Sequence, residues 1–175
     1  TTGAPRPHGD IARLMDAAVR PYCGLGHVTR MAAVAGSVAD TVLAAMSAAV
    51  PLRRAYVNNG GDIALHLAPG ESLASAIAGH DGAALGTVCV RAADAARGIA
   101  TSGRHGRSHS LGVADSVTVL ARSAAEADAA ATLIANAVDL PGHPAIRRRP
   151  AREIDADSDL GDILVVTGCG PLSAP

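Results

Sequence analysis

Apolar residues recur at helical spacing in three parts of the chain. The first part lies between Asp10, a predicted N-cap, and Pro21, which ends a short helix at about Arg20. The second predicts a longer helix, buried on one side and edged with small residues, whose apolar stripe is Met31, Val34, Ala35, Val38, Val42, Leu43 and Met46. The third helix, over residues 123–138, begins with the capping box formed by Ser123 and Glu126.

Short runs of β-branched and apolar residues predict strands between and after these helices. The predicted strands cover residues 54–57, 63–67, 87–90, 99–103, 116–120 and 163–167. Residues 72–84 are weakly patterned and predict no definite element. The arginine run at 147–149 is interpreted as solvated. The length of the chain predicts one domain over residues 1–175.

The first two strands flank a corner of sequence Asn-Asn-Gly-Gly-Asp at residues 58–62. Asn-Gly and Gly-Gly are common two-residue hairpin turns, so a plain hairpin with Gly60 or Gly61 at positive φ explains the corner. A glycine corner can also bring main-chain N–H groups close to a bound anion. The corner is therefore a candidate site as well as a turn.

Composition and charge exclude several classes of partner. The chain has 175 residues, a formal net charge of −1, no Phe, no Trp and no Lys, so its core is filled by small and aliphatic side chains. Mixed acids and arginines give no global field for nucleic acid or an anionic membrane.

The three cysteines form no metal-ligand spacing, no apolar run reaches eighteen residues, and the first residues lack the apolar core of a signal peptide. A cytoplasmic protein is expected.

Two further polar groupings are candidates for chemistry. The loop at 104–110 concentrates Arg104, His105 and Arg107 with several hydroxyls, which suits either an anion site or a solvated turn. Asp128 and Thr132 lie four places apart on the third helix, so both oxygens emerge from one face. They suit either Mg²⁺ ligation or an exposed polar face. The acidic run at 155–162 fails as a calcium loop, because its glycine is one place late.

Three motifs, taken together, resemble a known superfamily. They are the corner at 57–63, the strand end Gly98-Ile99-Ala100-Thr101-Ser102-Gly103, and the segment from Ser116 through Asp128 to Thr132. In this order, after the helix at 32–40, they resemble the ApbE-like superfamily, whose named members are FAD:protein FMN transferases. The match is closest to a short, uncharacterised branch. It covers most of residues 29–162, with 1–28 loosely matched and the opening strands of that branch missing here.

The resemblance implies an α+β fold, in which a twisted, mainly antiparallel sheet packs against two long helices. It implies a flavin nucleotide, FAD or FMN, held between the corner and the strand end by Asn58, Gly60, Gly61, Thr101, Ser102 and Gly103. Arg104 and Arg107 would neutralise its diphosphate. Mg²⁺ would be bound by Asp128, Thr132 and a main-chain carbonyl of Ala33 or Ala35. Asp62 or His105 would handle a proton.

This chain also departs from the transferases. It has Gly36 where they have a Lys, and Gly112-Val113-Ala114-Asp115 replaces their His-bearing segment. One interpretation is a protein that binds a nucleotide weakly with Mg²⁺, with possible chemistry at the pyrophosphate but no transfer of FMN to protein threonine. The other is a non-catalytic accessory protein that binds a protein partner, for example in sulfur and homocysteine metabolism. A homo-oligomer is compatible with both.

Overall fold

The computed structural model describes residues 5–172 and has an α+β fold, as predicted. It contains three α-helices, two of them longer than the third, and eight strands, and every strand pairing in the described part is antiparallel. The helices are α1 (Asp10–Val19), α2 (Val34–Ala49) and α3 (Ala124–Ala137). The strands are β1 (Arg54–Asn59), β2 (Asp62–Leu67), β3 (Ser72–Ala78), β4 (Ala84–Arg91), β5 (Gly98–Ser102), β6 (Val117–Ala121), β7 (Ile146–Pro150) and β8 (Leu164–Cys169).

A four-stranded sheet in the order β1-β2-β5-β6 forms the centre of the fold. The alternation of side chains along β2 separates its two faces. Ala64 packs against Ala39 and Leu43 of α2, whereas Leu65 and Leu67 pack against Val90 of β4. The helices α2 and α3 therefore cover one face, and the two-stranded ribbon of β3 and β4 covers the other. The β7–β8 hairpin forms a separate two-stranded sheet.

The two central helices approach each other closely at Gly36. A Cβ at this position would lie 2.3 Å from the carbonyl oxygen of Ala124, so no other residue fits without a shift of the backbone. The buried face of α3 consists entirely of alanines. Small side chains thus bring the helices together where a core without aromatic rings requires it.

The start of α3 confirms the predicted cap and adds a second one. Ser123 Oγ accepts a hydrogen bond of 3.2 Å from the Glu126 N–H. In addition, the carboxylate of Asp40 on α2 accepts bonds from the N–H groups of Ala124 and Ala125, at 3.0 and 2.9 Å. These N–H groups have no partner within the helix, so Asp40 satisfies donors that the local sequence leaves open.

Three predictions about elements differ from the structure. Asp10 is not an N-cap: Gly9 occupies that position without a side-chain cap, and Asp10 pairs with Arg13 instead. The weakly patterned residues form β3, whose alternation of small side chains gave little contrast in the sequence. The arginine run lies in β7, where Arg148 pairs with Asp139 and is only partly exposed, so this run is not simply solvated.

One helical stretch, Arg30–Ala49, has the length and composition of a membrane span, with a mean hydropathy of 1.5. It comprises a short 3₁₀ turn and α2. Its buried members pack on β2 and α3, and Asp40 in its middle binds the start of α3. These contacts are made by the part of α2 up to Leu43, whereas residues 44–50 are exposed. The cytoplasmic location stays a prediction.

Candidate functional site

The glycine corner is a two-residue turn that joins β1 to β2. Asn59 pairs with Asp62 across it, and Gly60 and Gly61 have φ of 70° and 112°. The Asn58 side-chain oxygen accepts a hydrogen bond of 2.8 Å from the Gly61 N–H. The predicted hairpin with positive φ at its glycines is therefore confirmed, and Asn58 stabilises the turn from within.

Asn59 attaches the corner to the beginning of α2. Its side-chain amide donates to the Ala35 carbonyl oxygen at 3.1 Å. The sequence predicts a binding role for Asn58 and no separate role for Asn59. The two successive asparagines before the glycines could have indicated this role. Successive strand residues point to opposite faces of a sheet, so one of the two asparagine side chains had to face the helices.

Asp128 of α3 lies at the same place. Its Oδ2 accepts a hydrogen bond of 3.0 Å from the Gly36 N–H, at the first turn of α2. Burial raises the pKa of Asp128 to about 6, although the N–H groups of Gly36 and Ala35 act in the opposite direction. The Asp128 carboxylate is thus bound to the first turn of α2.

Asp62 is the second carboxylate of this corner. Burial, and to a smaller extent the negative charge of Asp128, raise its pKa to about 7. The main-chain N–H of Thr101 and the charge of Arg107 partly oppose this shift. Two half-buried carboxylates from different elements are therefore close enough to repel each other.

Arg107 lies directly over the corner. A Cβ added to Gly60 would fall 1.4 Å from a guanidinium nitrogen of Arg107, so the side chain occupies the space that only a glycine leaves free. Arg107 itself is exposed. Of the arginines predicted to bind a diphosphate, this is the one in contact with the corner.

Arg104 and His105 are directed to another partner. Both bind Asp115, with Arg104 Nε at 2.8 Å and His105 Nε2 at 3.2 Å from the same oxygen. The ring of His105 also stacks on His80 from the tip of the β3–β4 ribbon, with centroids 3.9 Å apart. Within residues 5–172 no interaction joins His105 to Asp62, so the two predicted proton-handling groups are not brought together.

The predicted strand-end residues contribute unequally. Thr101 binds Asp62 through its main chain, whereas its hydroxyl pairs with Thr118 at 2.8 Å on an exposed face. Ser102 is half-buried. Gly103 has a φ of 156° and packs against the Asp115 main chain, where a Cβ would lie 2.4 Å from the carbonyl oxygen.

The predicted metal ligands also divide into two groups. Asp128 and Ala35 lie at the corner, through the contacts given above. Thr132 is half-buried one turn further along α3. Ala33 is fully buried against α1 and α3, in the cluster that contains Met15 and Ala129. Of the two carbonyl ligands predicted as alternatives, Ala35 is therefore the one that contacts the corner.

The donor set suits a hard cation held by few protein ligands. In the described part of the chain, no group of three or more His, Cys, Asp or Glu side chains forms a metal site. Mg²⁺ commonly takes only one or two carboxylates and completes its shell with water and phosphate oxygens. Asp62 and Asp128 provide that number, and hard oxygen donors are the kind that Mg²⁺ prefers.

Comparison with known proteins gives a consistent result. The chain matches the family described as AbpE bacteria over residues 2–175. It is 36% identical over 144 residues to a UPF0280 protein of Methanopyrus kandleri, covering 77% of this chain and 50% of that relative. It is 34% identical over 161 residues to a UPF0280 protein of Methanothermobacter thermautotrophicus, covering 90% of this chain and 60% of that relative.

These matches correct the resemblance drawn from the motifs. The family found is AbpE bacteria with UPF0280 relatives, so the assignment to the ApbE-like superfamily of FMN transferases is wrong. The motifs that suggested it are a glycine turn, a strand end and an alanine-rich helix, which other α+β proteins can share. The chain spans only about half to three fifths of the length of these curated relatives, 50% and 60% respectively.

Proposed function

The chain belongs to the family described as AbpE bacteria, and we propose that its glycine corner binds a phosphate-bearing small molecule together with Mg²⁺. One observation carries the proposal: the carboxylates of Asp62 and Asp128, from different elements, are both half-buried at the corner and act on each other electrostatically. Such a pair destabilises its own charged form, and a divalent cation offsets that cost.

The cation would be held by the two carboxylates, with the Thr132 hydroxyl as a further oxygen ligand, since the Ala35 carbonyl already accepts from Asn59. A carboxylate has lone pairs beyond those that accept N–H bonds, so Asp128 would bind Gly36 and the cation together. Bound there, Mg²⁺ would supply positive charge to neutralise phosphate oxygens. Asp62 and Asp128 would therefore bind the ligand through the ion rather than directly.

The phosphate group is supported by Arg107 and by the turn. A guanidinium group binds phosphate oxygens with two parallel N–H donors, and Arg107 lies over Gly60 with its side chain exposed. The positive φ of Gly60 and Gly61 turns the main chain sharply beneath it. The cation and the guanidinium group would then contact the same phosphate from two sides.

The remainder of the ligand is less constrained. FAD and FMN were implied as ligands by the motif resemblance. The names of the two UPF0280 relatives do not mention a flavin. They remain nucleotides to test, alongside ADP. Transfer of FMN to protein, which belonged to the overturned family assignment, is not proposed. The function proposed is binding, and no reaction step is attached to it.

The test is a titration of FAD and of ADP into the purified chain, by isothermal calorimetry, with Mg²⁺ or with EDTA. We expect binding only with Mg²⁺, a loss of about tenfold or more in Arg107→Ala, and a similar loss in Asp62→Asn. Arg91→Ala, which removes an exposed arginine of the ribbon, is the matched control and should bind as the wild type does. Equal binding in EDTA, or in Asp62→Asn, contradicts the proposal.

A non-catalytic, partner-binding role is the second candidate. It is favoured by the exposed apolar side chains of Val42 and Met46 on α2 and of Val50 directly after it. Monomeric domains rarely expose contiguous apolar surface without a use for it. Copurification of a stoichiometric protein from the native organism, lost when Met46 is replaced by Arg, would support this role.

A further inference from the structure

Strand β1 forms one outer edge of the central sheet, and its free side carries unpaired main-chain groups. The Arg53 carbonyl accepts a hydrogen bond of 2.8 Å from the Ala68 N–H, so the main-chain groups of Arg53 are directed toward the β2 side. Along an antiparallel pair, the N–H and C=O groups of successive residues are directed alternately toward the partner strand and away from it. The N–H and C=O groups of Arg54, Tyr56 and Asn58 are therefore directed outward, and within residues 5–172 no strand pairs with them.

This edge lies in a groove with an apolar wall on each side. Met46 of α2 and Leu73 of β3 line it together with Tyr56, around a volume of about 590 Å³. Tyr56 is 60% exposed and Met46 is 38% exposed. Neither wall closes the edge to solvent.

The helix beside the groove extends the apolar surface. From Thr41 to Leu52 the chain contains no charged residue, and residues 44–50 are all exposed. Val42 and Met46 lie about one helical turn apart on α2 and are 44% and 38% exposed, and Val50, directly after the helix, is 53% exposed. An open strand edge and an uncharged helix face are thus found side by side.

The usual protections of an edge strand are missing from β1. It contains no proline, its pairing with β2 has no bulge, and Arg54 is its only charged residue. Soluble proteins normally block such an edge by one of these devices or cover it. Within residues 5–172, none of these devices protects the six residues of this edge.

We propose that the partner is β1 of a second copy of this chain, paired antiparallel about a two-fold axis at Tyr56. This inference goes beyond the proposed function and does not rest on it. In that register each outward-directed residue meets another: Tyr56 lies opposite Tyr56, and Arg54 lies opposite Asn58. All three sets of free main-chain groups are then used.

Charge and hydrogen-bond count disfavour other positions of the two-fold axis. An axis at Arg54, which is a register shift of four residues, would place Arg54 opposite Arg54, and like charges directly opposite are unfavourable. The opposite shift pairs the strand with the glycine turn and loses hydrogen bonds. In the proposed register each Arg54 faces a neutral amide, and the two arginines are separated by roughly 13 Å along the strands.

The same axis accounts for the apolar helix face. Helix α2 lies on the β1 side of the helical layer, because α3 covers β5 and Met46 lines the β1 groove. The two-fold rotation brings both uncharged halves of α2 to the same side of the joined, eight-stranded sheet. A self-complementary surface of this kind is what an isologous dimer requires, whereas an unrelated peptide would leave the helix face uncovered.

The experiment is sedimentation velocity over a range of concentrations, on wild type, Tyr56→Pro and Tyr56→Phe. Proline at this position removes an outward N–H and leaves the β1–β2 hydrogen bonds in place. We expect a wild-type dimer, a dissociation constant raised at least about tenfold in Tyr56→Pro with unchanged circular dichroism, and little change in Tyr56→Phe. A monomer at every concentration, or a dimer unaffected by Tyr56→Pro, overturns the proposal and leaves the edge to a different strand.

A cross-link tests the register separately. In a Cys89→Ser background, Tyr56→Cys should form a disulfide between copies under mild oxidation, because directly opposite hydrogen-bonded residues have Cα atoms about 5.5 Å apart. Leu85→Cys, which introduces an exposed cysteine at the ribbon, is the control and should cross-link far more slowly. Equal rates for the two variants would overturn the register.

Discussion

Asp40 of α2 and Asp128 of α3 cap each other's helices. Asp40 accepts from the N–H groups of Ala124 and Ala125 at the start of α3, and Asp128 accepts from the N–H of Gly36 at the start of α2. Each helix thus needs the other for its own N-terminal hydrogen bonds. The two helices that border the corner are joined where they cross, and this fixes Asp128 beside Asp62.

Loss of the Asp40 carboxylate should destabilise the fold. Asp40→Ala leaves two N–H groups of α3 without their acceptor, and loss of a cap costs about 1–2 kcal/mol. Urea unfolding followed by circular dichroism measures this loss. Asp40→Asn keeps one acceptor oxygen and should lose less. A change within about 0.3 kcal/mol for Asp40→Ala would show that Ser123 alone is sufficient.

The helix crossing should not tolerate a side chain at Gly36. Gly36→Ala places a methyl group 2.3 Å from the Ala124 carbonyl oxygen, so the helices must separate. Overpacking of this kind costs about 1–3 kcal/mol. Gly26→Ala is the control, because a Cβ there meets no atom within 4 Å. Comparable unfolding free energies for the two variants would mean that the crossing adapts without cost.

Asp62 should make the free protein less stable as the pH rises. Its pKa is raised from 3.8 to about 7, so the folded state favours the neutral acid. The resulting stabilisation is fully present below the unfolded pKa and is lost as the pH rises through 7. Asp62→Asn, which is neutral throughout, should therefore gain stability relative to wild type between pH 5 and 8. If the difference in unfolding free energy between Asp62→Asn and wild type stayed constant across that range, the pKa of Asp62 would not be raised in the folded protein.

The two arginines of the polar loop should act on different carboxylates. Arg107→Ala removes a positive charge that lowers the pKa of Asp62, so that pKa should rise further. Arg104→Ala should instead raise the pKa of Asp115, which Arg104 holds below its ordinary value. Carbon-13 NMR titration of the aspartate carboxyls distinguishes the two. If the pKa of Asp62 rose in Arg104→Ala instead, Arg104 rather than Arg107 would be the arginine that acts on Asp62.

The features predicted correctly from the sequence are those determined by neighbouring residues. The turn at Gly60 and Gly61 and the cap at Ser123 depend on backbone conformation and on a hydrogen bond three residues away. The three helices and most strands follow from apolar periodicity. The buried stripe predicted for α2 is only partly right, because Met31, Val42 and Met46 are exposed. The α+β fold class was implied by the family resemblance and is confirmed by the structure.

The features that were missed depend on residues distant in sequence. Asp40 is 84 residues from the N–H that it binds, and Asn59 is 24 residues from Ala35, so neither role has a local signature. The strand β3 was missed because its alternating side chains are small. The family assignment failed for a related reason: short glycine and alanine motifs reflect turns and close packing, which unrelated folds share.

Manganese binding tests the proposed cation site most directly, because Mn²⁺ accepts the same oxygen ligands as Mg²⁺ and its free form is measured by electron paramagnetic resonance. We predict one site per chain, whose affinity rises from about pH 5 to pH 8 as Asp62 and Asp128 lose their protons. Asp62→Asn should weaken it about tenfold or more, and Asp155→Asn, in the acidic run, should not. Equal affinity in wild type and Asp62→Asn, or affinity independent of pH, would contradict the account.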